Sequence, residues 1–310
     1  MKYLSDSNQI PVDHALYELK KHGTQEFPCQ IYFNDYSRSH EPLEYWHYHT
    51  EMEFYIVLKG EFESGVNDRR YHLKEGDGIF VNSGVLHRYH AVGKYEGSES
   101  ITVVFSPQFL SGSTDNLIYR KYIEPIIKDN GMPEEVLHRE IGWQSEVMDC
   151  LREMYSISRR KEWITGLSMK NRLCSAWELF ILNRKKNTEA ALRSASDILC
   201  EQRAKEILNY FHEHYQEHVE IEDIARSLHI SRTECFRCFQ KITGESPKSY
   251  LNSYRLRQAA GRLEGTEESI TEICFSCGFN NMSYFVKRFR EYTGMSPGKY
   301  RKTVRGLEKS

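Results

Sequence analysis

Several things are missing from this sequence, and each absence excludes a class of protein. No apolar run approaches the ~18 residues needed to cross a bilayer, so no membrane-spanning helix is expected. The opening residues, MKYLSDSNQI, lack the basic-then-apolar plan of an export signal, and the cytoplasm is the expected compartment. Cysteines are not clustered: eight are scattered over 310 residues, unlike a small disulfide-stapled scaffold. Without export they should stay reduced. A strong net charge is also missing. The formal value is -2, so the whole chain carries no basic signature. At 39% hydrophobic and 28% charged residues the composition is that of a globular protein, and the length suits two ordinary domains.

The near-neutral average conceals an asymmetry. Tyr284 to Arg305 holds Lys287, Arg288, Arg290, Lys299, Arg301, Lys302 and Arg305 against one acid, Glu291, whereas the chain before about residue 200 is acidic. Such a split points to a polyanion-binding half.

From about Gln30 to Phe105, short β-branched and aromatic runs alternate with glycine-marked turns. Phe54 to Leu58, Gly78 to Val81 and Ile101 to Phe105 are examples, and they suggest an antiparallel sandwich or barrel. From about Asn116 to Asn183 the spacing becomes helical, through Ile141, Val147, Cys150, Leu151 and Met154, then Leu173, Trp177, Phe180 and Ile181. Domains are therefore expected at 1–184 and 201–303, with a linker over 185–200 and a tail over 304–310.

The last third holds an internal repeat. IEDIARSLHISRTECFRCFQKITGESPKSYL starts at Ile221, and ITEICFSCGFNNMSYFVKRFREYTGMSPGKYR starts at Ile270. Ile221, Ile224 and Ala225 match Ile270, Ile273 and Cys274. Phe239, Gly244, Ser246, Pro247 and Tyr250 match Phe289, Gly294, Ser296, Pro297 and Tyr300. Each copy predicts a short helix, a turn and a second helix. Ser231 caps the first copy's second helix and Gly244 ends it; in the second copy Gly278 takes the turn and Asn280 or Asn281 caps. This is the plan of the helix-turn-helix, whose second helix enters the major groove of DNA. The side chains left exposed there are the expected base readers: Arg232, Thr233, Phe236 and Arg237, then Asn281, Met282, Ser283 and Lys287. Arg288, Arg290, Lys299, Arg301 and Lys302 are expected on phosphate.

Over residues 201 to 303 this pattern resembles the DNA-binding domain of the AraC/XylS family of transcription regulators, with GFNNMSYFVKRFREYTGMSPGKYR as the signature segment. The resemblance implies seven helices, with a long one from about Pro247 to Leu263 joining the two units. It places base contacts at Thr233, Arg237, Met282, Ser283 and Lys287. Cys274 stands where the family commonly has alanine.

Two Cys-x-x-Cys pairs, Cys235/Cys238 and Cys274/Cys277, are too far apart for a zinc ribbon and fall on core positions, so buried packing is expected of them.

In the strand-rich half, His47, His49 and Glu53 share strand parity and His87 follows on a later strand, a set able to hold a divalent metal. With Gly60, Gly76 and Gly84 between them, they resemble the two cupin motifs. The second motif departs from the pattern, with Asn82 for proline and Ala91 for asparagine. Three readings stand: a metal-dependent cupin enzyme, a small-molecule sensor whose pocket these residues line with or without a metal, and histidines kept only for packing and hydrogen bonding. Fusion to a DNA reader favours sensing, so no catalytic residue and no required cofactor are expected. Tyr32, Phe33, Tyr36, Tyr45, Trp46, Tyr48, Tyr55 and Tyr89 cluster around the motif and suit a sugar or similar metabolite, with Trp46 and Tyr48 facing away. The expectation is thus an α+β chain with a cupin-like β-barrel, flanking helices and an all-α C-terminal domain. Its partners would be double-stranded DNA, a small-molecule effector, a second copy of itself and RNA polymerase.

Overall fold

The computed structural model describes residues 4–6, 18, 20–36, 46–92, 97–129, 131–160, 162–184 and 194–307. The chain divides into two compact units, Met1–Ala195 and Ser196–Ser310. Tyr45 and most of the 185–200 stretch lie outside the described residues.

Among the described residues the first unit has nine strands: β1 (Leu4–Asp6), β2 (Cys29–Asp35), β3 (Met52–Lys59), β4 (Phe62–Val66), β5 (Arg69–Leu73), β6 (Gly78–Val81), β7 (His87–Ala91), β8 (Glu99–Phe105) and β9 (Glu134–Leu137). They form two sheets, ordered β1-β2-β8-β3-β6-β9 and β5-β4-β7, and not one closed barrel among the described residues. Helices α1 (Pro107–Ser111), α2 (Leu117–Tyr122), α3 (Glu124–Ile127), α4 (Gly142–Ser158) and α5 (Thr165–Asn183) complete it.

Strand β3 shows why a run such as MEFYIV can be buried throughout. Alternate side chains face opposite ways. Met52, Phe54 and Ile56 join the cluster that includes Phe80, Phe105, Trp177 and Phe180, under α4 and α5. Tyr55 and Val57 point the other way, into a second cluster with Phe62, Val66 and Tyr89. Burying a large side chain on either face stabilises by about 1.5–3 kcal/mol, which makes register costly to slip.

Two expectations need correction. The region 116–183 is not helical throughout, because Glu134–Leu137 pairs with β6 as an edge strand. Four residues after Pro133 are too short to show a period, and only the partner strand makes them β. Ile141 does not join the buried stripe of α4 either; it is the exposed residue that precedes the helix.

The second unit is helical: α6 (Ala195–His214), α7 (Ile221–Ser227), α8 (Arg232–Thr243), α9 (Pro247–Gly265), α10 (Ile270–Ser276), α11 (Met282–Thr293) and α12 (Pro297–Leu307). Seven helices, with α9 between the two short-long pairs, is the arrangement the family resemblance implies.

Candidate functional site

In the helical unit, α7 with α8 and α10 with α11 repeat one another bond by bond. Each short helix starts in a reciprocal capping box, Glu220 with Asp223 and Ser269 with Glu272. Each turn closes on the same pair of backbone bonds, Leu228 N–H to Ile224 and Ile230 N–H to Ala225, then Cys277 N–H to Ile273 and Phe279 N–H to Cys274. Ser231 Oγ accepts from Glu234 N–H at 3.1 Å, and Asn281 Oδ1 accepts from Tyr284 N–H at 2.8 Å. Both long helices end on a left-handed glycine, Gly244 and Gly294. Just before it, Thr243 and Thr293 donate back to the carbonyls of Phe239 and Phe289 at 2.8 and 2.9 Å.

Packing settles which faces remain free. Cys235, Phe239 and Ile242 bury one side of α8, and Phe285 and Phe289 one side of α11. Arg232, Thr233, Phe236 and Arg237 stay exposed, as do Asn281, Ser283, Lys287 and Arg290, with Met282 half-buried. Phe236 leaves 42% of its surface open, unusual for an aromatic with no partner.

In the first unit, His47, His49, Glu53 and His87 converge, all buried, with their donor atoms within 4.8 Å of one another. Strand parity is not what brings them together. His47 and His49 precede β3, and an isolated bridge holds His47 against His87, with backbone N–H···O distances of 3.0 and 2.9 Å. Glu53 comes from the large sheet and His87 from the small one. His49 Nε2 lies 3.2 Å from Glu53 Oε2, and His87 Nε2 lies 3.6 Å from the same oxygen.

Burial tends to raise Glu53, but the imidazoles of His87 and His49 outweigh it and hold the carboxyl well below its usual range. Burial, with His87 beside it, pushes His47 down to about 3, so its ring is neutral near pH 7. Neutral imidazole is the ligand form. His87 Nδ1 is fixed by the Val85 carbonyl at 2.8 Å, while its buried Nε2 makes no hydrogen bond. Three imidazoles, one ionised carboxylate and an orphaned buried nitrogen aimed at them fit a divalent metal.

Comparison with known proteins bears on both units. A helix-turn-helix domain model matches residues 224–303, and a cupin domain model matches 39–98. An uncharacterised HTH-type transcriptional regulator of Bacillus subtilis, YdeC, is 29% identical over 94% of this chain and 97% of its own. The melibiose operon regulatory protein of Escherichia coli is 22% identical over 83% of each chain. Among solved structures, the DNA-binding domain of AdpA in complex with a target DNA is 30% identical, covering 35% of this chain and 97% of that one, with a TM-score of 0.34. The chain belongs to the AraC/XylS family of transcription regulators. It binds DNA, and it is a regulator, not an enzyme. No helix among the described residues is long and apolar enough to cross a membrane.

As an AraC/XylS regulator the chain keeps its four Cys-x-x-Cys sulfurs inside the packing of the helices that carry them. Burial pushes Cys235 up to about 11, so that thiol stays protonated.

The expected DNA-contacting residues are placed unequally. Arg232 pairs with Glu222 at 2.7 Å, tying α8 to α7. Two Arg237 bonds, each 2.8 Å, go to Glu234, which also receives Arg203 of α6, and a longer one of 3.6 Å goes to Cys238 Sγ. Asn281 spends its oxygen on the cap. Arg288 pairs with Glu291 at 2.7 Å. Arg301 donates to the Glu268 carbonyl at 2.6 Å, which gives it an intramolecular role where phosphate contact was expected. Lys299 and Lys302 remain exposed.

Around the histidines, Tyr55 and Tyr89 stack 3.8 Å apart on the inner face. Phe33, by contrast, stacks on Tyr155 of α4, away from the pocket. Trp46 is also outside it, between the guanidiniums of Arg70 and Arg88 at 5.0 and 4.9 Å. Asn82, standing for the expected proline, is itself structural: its Nδ2 donates to the carbonyls of Ile126 at 2.7 Å and Met132 at 3.1 Å.

Reading the sequence missed Glu18 and His22, both buried beside the cluster. No local pattern marks them. It also missed Glu234, though its three-residue spacing from Arg237 on a helix was a usable signal.

Proposed function

We propose that this regulator reads a specific DNA site with Thr233, Phe236 and Arg237 of α8 and with Met282, Ser283 and Lys287 of α11. Arg290, Lys299 and Lys302 add phosphate contacts. The observation that carries the reading is the free face of α11. Among the described residues, neither Lys287 nor Arg290 has an ionic partner, so both charges are available to DNA. Base contacts from α8 and α11 specify, while phosphate contacts supply salt-dependent affinity.

The reading extends to control by a small ligand in the first unit. A divalent metal on His47, His49, Glu53 and His87 would supply a fixed positive centre able to anchor an anionic or hydroxylated effector. The protein's part is to hold three imidazoles and one carboxylate dry and preoriented. A sugar or related metabolite is the effector class favoured by the polar inner face, where Asn34 Nδ2 donates to Ser100 and Thr102 at 3.1 and 3.2 Å. Whatever binds must favour one state over another to change DNA affinity. Trp163, Leu167 and Leu182, exposed on or before α5, offer an apolar surface for a second copy. RNA polymerase is the further partner of this reading.

The test is binding of the full chain to its own upstream DNA, titrated against salt and competitor, with and without divalent cation. Binding that survives competitor and falls steeply with salt supports the reading; no binding at low salt overturns it. A cation or sugar that leaves affinity untouched removes that ligand as effector.

A further inference from the structure

A second polar cluster lies beside the cupin set: Glu18, His22 and His49 form a buried trio with donor atoms within 4.8 Å of one another. Glu18 Oε2 is 3.2 Å from His22 Nε2 and 3.9 Å from His47 Nε2. Its backbone N–H donates to the Tyr48 carbonyl at 3.0 Å, which fixes the residue between the two ligand-bearing histidines in sequence. His22 in turn is held through Nδ1 by the Tyr32 hydroxyl at 3.0 Å.

We infer that Glu18 is a further ligand of the divalent cation, reaching it from beside His47 and His49, and that His22 and Tyr32 orient its carboxylate. The inference rests on the metal reading given above. Metal–nitrogen bonds of about 2.1 Å put adjacent octahedral donors about 3 Å apart and opposite ones about 4.2 Å apart. The 3.2, 3.6 and 3.9 Å separations among these carboxylate oxygens and ring nitrogens fall inside that range. A lone ion pair between Glu18 and His22 would not explain the approach of the same carboxylate oxygen to His47.

Tyr32–His22–Glu18 then has the form of an outer chain that aims a ligand. Five protein donors, three nitrogen and two oxygen, suit a six-coordinate first-row divalent ion with one position left for effector or water. The cation would tie the segment before β2 to the strands that carry the histidines.

Isothermal titration of the metal-free full chain with Mn(II) and Ni(II) tests this, on wild type, Glu18→Gln, Glu18→Asp and Lys128→Ala. One ion per wild-type chain is expected. Glu18→Gln should weaken it by about 10–100-fold, the range seen when metal-site partners are removed. Glu18→Asp should recover part of the loss, and Lys128→Ala, an exposed change, should match wild type. Hydrogen exchange of wild type supplies a check free of folding defects: the Glu18 amide should exchange more slowly with the ion bound. No binding by wild type overturns the metal reading and this inference together. Normal binding by Glu18→Gln, or exchange at residue 18 unchanged by the ion, overturns the inference and leaves the four-residue site standing.

Discussion

The two helix-turn-helix units share one backbone and differ in what they do with it. At the turn, the first unit places His229 at φ 54° and the second Gly278 at φ 82°. A left-handed histidine is tolerated where nothing crowds it. At Gly278 a Cβ would lie 2.3 Å from the Tyr215 carbonyl and 2.8 Å from Arg255 Nε, and Arg255 itself binds that carbonyl at 2.7 Å. The same conformation is therefore optional for side chains in one copy and closed to them in the other. The surfaces diverge as well. The first unit neutralises its arginines internally, Arg232 on Glu222 and Arg237 on Glu234, whereas the second leaves Lys287 and Arg290 to the solvent. A duplicated scaffold keeps its local bonds and varies its charges, so affinity and specificity can be divided between copies.

That comparison breaks most sharply at the turn. Gly278→Ala should destabilise the second unit by about 1–3 kcal/mol or more, from the strained φ and the clash with Tyr215. His229→Gly in the first unit should change stability by less than about 1 kcal/mol. Denaturant unfolding of both variants decides this, and equal losses would show that crowding at Gly278 does not matter.

The next effect is on DNA. Lys287→Ala should cost about 1–3 kcal/mol at the cognate site if it reads a base, or lower the salt slope by about one if it meets phosphate. Arg237→Ala should cost less than Lys287→Ala, because Arg237 must share or leave Glu234 to reach a base. Salt-titrated binding curves separate the two; a larger loss at Arg237 would mean that Glu234 presents the arginine to DNA.

The smallest effect is acidic. Hydrogen bonds from Arg237 hold Glu234 down to about 2. A carboxyl lowered on folding contributes stability above its unfolded value near 4.5, lost as pH falls toward 2. Melting temperature should therefore drop more between pH 6 and 3 in wild type than in Glu234→Gln. The difference should be modest, since the pair is largely exposed.

How much could be read in advance followed from the range of the forces. Caps, turn glycines and buried stripes of the repeat act over a few residues, so Ser231, Gly244, Gly278 and Gly294 could be placed from the chain alone, while the choice of Asn281 over Asn280 as cap needed the fold. The roles of individual charges could not. Arg301 looks like any other basic residue of its segment until the fold brings the Glu268 carbonyl to it. Strand parity is not what gathers the histidines, since His47 and His49 lie before the strand that carries Glu53.

The sequence by itself determined the two-unit plan, the tandem DNA-reading helices and the histidine-glutamate set, because periodicity, capping and motif spacing are properties of neighbouring residues. Only the tertiary structure decided that β9 is a strand, that Phe33 leaves the pocket, and that Glu18 and His22 lie beside the histidines. Those outcomes depend on closing loops between distant segments. The entropy of closure is offset by burial and pairing that no local window of sequence contains.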